Sequence, residues 1–199
     1  MTVQFRTSDR THAVDAIVIG ASAGAIDTLR VILAPIPPTF GAPMIVVVHV
    51  PSKFDSRLPD VLAAFCALTV REARDKEQVE NGVVYVAPPG YHLLVEPDRS
   101  LALSLDPPVN FSRPSIDVLF ESAAYAYRER LLGIVLTGAN DDGADGLAAI
   151  RASGGLGWVQ APETAAAAVM PASALERAGA DAVYAPAMMG AELARIASI

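Results

Sequence analysis

The chain has 199 residues, 52% of them hydrophobic, which suits one domain able to bury a sizeable core. Its formal net charge is -7 and no dense Lys/Arg cluster occurs, so the basic face that nucleic acid requires is missing and no nucleic-acid partner is expected. Cys66 is the only cysteine, which excludes an intrachain disulfide and fits a reducing, cytoplasmic setting.

Met1 to Ala13 is polar, lacks the apolar stretch of a signal peptide, and reads as a flexible tail (1–13) before a single domain (14–199). Asp15–Gly20 (DAIVIG) is an apolar run ending in glycine, a buried-strand pattern. Ile26, Leu29, Ile32 and Leu33 follow at helical spacing until Pro35 stops the helix. Met44–Val50 (MIVVVHV) predicts a second buried strand. The apolar region Val31–Val50 is broken by four prolines, so the chain is not expected to be membrane-embedded. Phe54–Ala67 reads as a helix with Leu58, Val61, Leu62 and Phe65 on one face. Val83–Ala87, His92–Glu96 and Leu101–Leu105 predict short strands separated by Pro, Gly and Asp turns, an antiparallel excursion. Ser115 is placed to cap a helix running to about Arg128. Leu131–Thr137 is a further strand, Gly143–Ala152 a helix, and Trp158 lies in a strand after glycines. Pro171–Ala178, Asp181–Tyr184 and Met188–Ile196 read as helix, strand and helix. This alternation predicts an α/β fold: a doubly wound, mostly parallel sheet covered by helices on both faces (three layers, αβα), with a short antiparallel hairpin.

In such sheets ligands bind beyond the carboxyl ends of the strands. Three strand ends carry chemistry: Ser22 in Gly20-Ala21-Ser22-Ala23-Gly24, His49, and the run Asn140-Asp141-Asp142-Gly143. A hydroxyl, an imidazole and a carboxylate are the set for nucleophile, general base and orienting acid. Each has a plainer reading. Ser22 can be an N-cap in a turn, or part of a phosphate or dinucleotide loop, although the third glycine of that loop is missing. His49 can be a satisfied core histidine. Asp141, Asp142 and Asp145 compete as the acid, and one of the first two can simply cap the next helix. No His/Cys spacing typical of zinc and no EF-hand pattern occurs, and no metal is expected.

Five segments together resemble the catalytic domain of the bacterial chemotaxis protein-glutamate methylesterases: IVIGASAG (17–24), VVVHVP (46–51), VYVAPPGYHL (84–93), FSRPSIDVLF (111–120) and LTGANDDGADG (136–146). The resemblance spans roughly Ala16 to Ile196. It implies Ser22 as nucleophile, His49 as base and Asp142 as orienting acid, since the family aspartate directly precedes the Gly-Ala of the following helix. It further implies a hydrolase of the kind that removes methyl esters from receptor glutamates and in many members also deamidates glutamines, with no cofactor. Backbone N–H groups of Ala23 and Ala139 are the expected oxyanion donors. Arg113 is a candidate for holding an acidic receptor segment. Methyl-accepting chemotaxis receptors are the expected partners. The thirteen residues before Val14 are too few for the receiver domain that similar proteins often carry, so a separate receiver-domain regulator is a further expectation. Ala139 and Asn140 stand where the family usually has methionine and glycine. The rival readings are a disused signalling scaffold of the same fold, a nucleotide-binding Rossmann-like domain, and an esterase for small molecules.

Overall fold

The computed structural model describes residues 3–7, 10–49 and 57–196, and side chains within 14–49 and 57–195. Val3–Thr7 (β1) and Arg10–Val14 (β2) pair antiparallel, within the segment expected to be a tail. Ala16–Ala21 (β3), Ala25–Leu33 (α1), Met44–Val48 (β4), Leu58–Ala63 (α2), Thr69–Glu72 (β5) and Val83–Val86 (β6) follow. The hairpin His92–Val95 (β7) and Leu101–Ser104 (β8) precedes Ile116–Tyr127 (α3) and Leu131–Val135 (β9). The chain continues through Ala144–Ala152 (α4), Leu156–Gln160 (β10), Val169–Arg177 (α5), Ala182–Tyr184 (β11) and Pro186–Ile196 (α6).

Seven strands form one parallel sheet in the order β11-β10-β9-β3-β4-β6-β5. Its central strands are apolar throughout because both faces are covered. On one face Ile17 and Ile19 of β3 and Val46 of β4 meet Leu29 and Ile32 of α1, Leu62 of α2 and Leu193 of α6. On the other, Val18 and Val47 meet Phe120 of α3, Leu147 of α4, Met170 of α5 and Leu93 of the hairpin. Each such side chain is fully buried and contributes about 1.5–3 kcal/mol relative to exposure. This is the doubly wound, three-layer arrangement expected from the alternation of elements. No described helix is long and apolar enough to cross a membrane.

Two expectations need correction. Residues 83–105 are not all antiparallel: only β7 and β8 pair that way, with His92 opposite Ser104. β6 runs parallel between β4 and β5, and all four of its residues are buried, so its near-continuous apolar run was the signal of a covered sheet strand. β5 was not anticipated; it is a short edge strand with exposed ends. Of the helix expected over 54–67, Phe54–Ser56 lie outside the described residues, and α2 ends at Ala63. Cys66 is half-buried against the core, and burial pushes its thiol pKa up.

The winding reverses at β3. From there the chain runs to β4 on one side and returns later as β9 on the other. Strand ends flanking such a switch point leave a crevice, and Ser22, His49 and the segment 136–143 all emerge there.

Candidate active site

Ser22 follows the last residue of β3 and is fixed by its backbone. Its N–H donates to Thr137 O (2.8 Å), and its carbonyl accepts from Ala25 N (2.9 Å) at the start of α1. The tight turn requires Gly24, whose φ is +82° and where an added Cβ would lie 2.6 Å from Ala166 Cβ. Thr137 holds the same turn from β9's side. Its buried Oγ1 donates to Ala23 O (2.7 Å) and accepts from Ala167 N (2.9 Å), while its N–H donates to Gln160 Oε1 (2.9 Å).

His49 lies one residue past β4, its backbone N–H tied to Ala21 O (3.1 Å). Ser22 and His49 line one open groove of about 320 Å³, with Ile26, Asp27, Val48 and Leu58. Behind the ring, His49 Nε2 meets Asp142 Oδ2 at 2.8 Å. The imidazole is mostly covered and the carboxylate wholly buried. With Nε2 directed at a carboxylate, Nδ1 is the nitrogen left to exchange a proton on the other side.

Asp142 is the hub of an interlocked pair of helix starts. Its Oδ2 accepts from Ile116 N (2.7 Å), and its Oδ1 from Asp117 N (3.0 Å) and Ser115 Oγ (2.9 Å). It therefore satisfies the first N–H groups of α3, the task expected of Ser115, whose hydroxyl instead binds the carboxylate. Asp117 returns the arrangement: its Oδ1 accepts from Gly143 N (2.9 Å) and Gly146 N (2.7 Å) at the start of α4. Asn110 Nδ2 bridges the two acids, 2.8 Å from Asp117 Oδ2 and 3.3 Å from Asp142 Oδ1. Gly143 permits this closeness, with φ +98° and no room for a Cβ beside Ile116. His92 completes the frame: its Nδ1 accepts from Ser115 N (3.2 Å), and its Nε2 donates to Pro107 O (3.1 Å).

The two carboxyls titrate apart. Burial opposes ionisation of Asp142, but hydrogen bonds from His49, Ile116 N and Asp117 N outweigh it and bring its pKa to about 2. Burial raises Asp117 to about 7, against the pull of Gly146 N and with further help from the charge of Asp142. Asp142 thus carries the negative charge facing His49.

The other candidates fall as follows. Asp141 and Asp145 are exposed and face Arg177 at 3.6 and 2.7 Å. Ala23 and Ala139 are exposed beside the groove's turn and the 136–143 loop. Among the described residues, their N–H groups donate to no protein acceptor. Asn140 is not among the residues with positive φ. Arg113 Nη1 donates to Leu105 O (2.9 Å) and Asp106 O (3.0 Å). No group of three or more His, Cys, Asp or Glu gathers as for a metal among the described residues. Asn110, Ser115, Asp117, His92 and Thr137 were not anticipated as parts of the site. Only a polar residue at the start of a helix marked any of them.

The CheB methylesterase family model matches residues 17–193. A Leptospira interrogans relative, named for protein-glutamate methylesterase and protein-glutamine glutaminase activity, is 48% identical over 169 residues, 85% of this chain and 88% of the relative. A Symbiobacterium thermophilum protein-glutamate methylesterase/protein-glutamine glutaminase is 40% identical over 77% of this chain, which spans 42% of that protein. The crystal structure of the Thermotoga maritima CheB methylesterase catalytic domain superposes with a TM-score of 0.87 at 32% identity, covering 92% of this chain and 98% of that one. With the match running through nearly all of the α/β sheet and every strand end of the crevice, the chain belongs to the CheB methylesterase family.

Proposed function

We propose that the protein hydrolyses methyl esters of glutamate side chains on methyl-accepting chemotaxis receptors, and deamidates glutamines there, with Ser22 as nucleophile, His49 as base and Asp142 as orienting acid. The observation that carries the reading is the line formed by groove, imidazole and buried carboxylate: Ser22 and His49 share the groove wall, and His49 Nε2 meets Asp142 at 2.8 Å. The names of the Leptospira and Symbiobacterium relatives, protein-glutamate methylesterase/protein-glutamine glutaminase, support both activities on protein side chains.

In this mechanism His49 Nε2–H donates a hydrogen bond to Asp142, so Nδ1 is free to accept the Ser22 hydroxyl proton as Oγ attacks the ester carbonyl. The oxyanion is held by N–H groups of Ala23 and Ala139, which have no protein acceptor among the described residues. Methanol leaves with the proton from His49. Water then attacks the acyl-serine, again through His49, releasing the glutamate carboxylate. For glutamine the leaving group is ammonia. Asp142 needs no proton transfer of its own; a pKa of about 2 keeps it ionised to stabilise the imidazolium. Arg113 serves the substrate by holding the 105–113 loop. The setting is cytoplasmic, where receptor glutamates are modified, and a receiver-domain partner is the expected regulator. The test is methanol release from a methylated receptor cytoplasmic fragment. Ser22→Ala should abolish release without unfolding the protein; release equal to wild type refutes the assignment.

A further inference from the structure

Residues 109–112 form a two-residue turn closed by Val109 N to Ser112 O (3.2 Å) and Ser112 N to Val109 O (2.8 Å). Both central residues have positive φ, Asn110 at 50° and Phe111 at 59°. Such turns favour Asn followed by Gly, because the second position crowds any Cβ. This chain supplies the asparagine but places phenylalanine second. Phe111 is wholly exposed, so the ring gains no burial in return for the backbone strain. Leu105 and Val109, on the same loop, are exposed as well.

The loop is nonetheless held firmly. Arg113 ties the carbonyls of Leu105 and Asp106, His92 ties that of Pro107, and the Asn110 side chain is clamped between Asp117 and Asp142. A residue that harms the isolated fold twice, on a braced support, has its use in a contact outside the fold. The clamp also limits how far that contact lies from the site. With Asn110 touching Asp142 and successive Cα atoms 3.8 Å apart, the Phe111 Cα sits within about 11 Å of the acid that holds His49.

We infer that Phe111 is a preorganised aromatic anchor for the protein substrate, inserting into the receptor surface that flanks the methylated glutamate. A rigid aromatic loses little entropy on binding, which suits it to this task. The inference rests on the receptor-methylesterase reading. It makes the turn a specificity device, a contact that a protein substrate can use and that hydrolysis of a small ester does not require.

The test uses Ser22→Ala protein, which binds without turnover, and a methylated receptor cytoplasmic fragment followed by fluorescence anisotropy. Adding Phe111→Gly should weaken binding at least about tenfold, the range of an aromatic anchor. Adding Phe111→Tyr, which keeps ring and strain, should stay within about threefold of the parent. Phe111→Gly should not lower Tm, and relief of strain should raise it by up to about 4 °C. In otherwise wild-type protein, kcat/KM should fall at least tenfold further on the receptor fragment than on a small nitrophenyl ester. Equal affinity of the Gly and parent proteins, equal losses on both esters, or a self-association that Phe111→Gly abolishes while receptor binding persists would each overturn the inference. Phe111-dependent binding without Ser22-dependent methanol release would instead sink the catalytic reading and leave the anchor standing.

Discussion

Replacing Asp117 by asparagine should change the stability of the protein in a pH-dependent way. In the wild type the folded carboxyl keeps its proton to about pH 7, whereas the unfolded one loses it near 3.8. Between those values the folded chain binds the extra proton. The stabilisation from this group is therefore complete below about pH 4, falls as pH rises, and is gone above about pH 7. Asp117 is 5% exposed, so solvent screening is slight. Three pH units correspond to roughly 4 kcal/mol. Asparagine does not titrate. Its Oδ1 can still accept from Gly143 N and Gly146 N, but Asn110 loses one acceptor, at about 1 kcal/mol. The variant should be about 1 kcal/mol less stable than wild type near pH 4 and roughly 3 kcal/mol more stable at pH 8. Urea unfolding followed by fluorescence of the buried Trp158 reads both, with unchanged m-values as a control. A difference between variant and wild type that stays constant from pH 4.5 to 8 would refute the reasoning and mean that the helix-start N–H groups keep Asp117 ionised throughout.

Two further predictions concern the same frame. Asp142→Asn should lower kcat by roughly 10³–10⁴-fold, because the amide does not hold the His49 tautomer as the carboxylate does, while Asp141→Asn should stay within about twofold; the reverse ranking in methanol release would overturn the choice of acid. Thr137→Val leaves Ala23 O and Ala167 N without their partner, costs about 2–3 kcal/mol in urea unfolding, and should lower kcat more than it raises KM by loosening the turn around Ser22; unchanged kcat would separate Thr137 from catalysis.

Much of the candidate site was legible because its polar residues sit at strand ends, and strand ends are local. The apolar runs stopping at Gly20, before His49 and near Thr137 place a serine, a histidine and an acidic cluster beyond the carboxyl ends of the strands of a parallel sheet. The choice among Asp141, Asp142 and Asp145 was not legible from the residues themselves and needed a family resemblance. What favours Asp142 in the proposed site is its contact with His49 and the donors from Ser115, Ile116 and Asp117, more than 24 residues away in sequence. Asn110 and Asp117 escaped notice for the same reason: an amide in a turn and an acid in a helix's first turn look like ordinary local features. The parallel course of β6 was misread because its nearby turns resemble those of the true hairpin, and a strand's own residues do not name its neighbours.

The most direct test of the account is methanol release from a methylated receptor cytoplasmic fragment, compared between wild type and Ser22→Ala at matched folded concentration. The account predicts steady release by wild type and none above background by the variant. Equal release by both, or none by well-folded wild type, would contradict it.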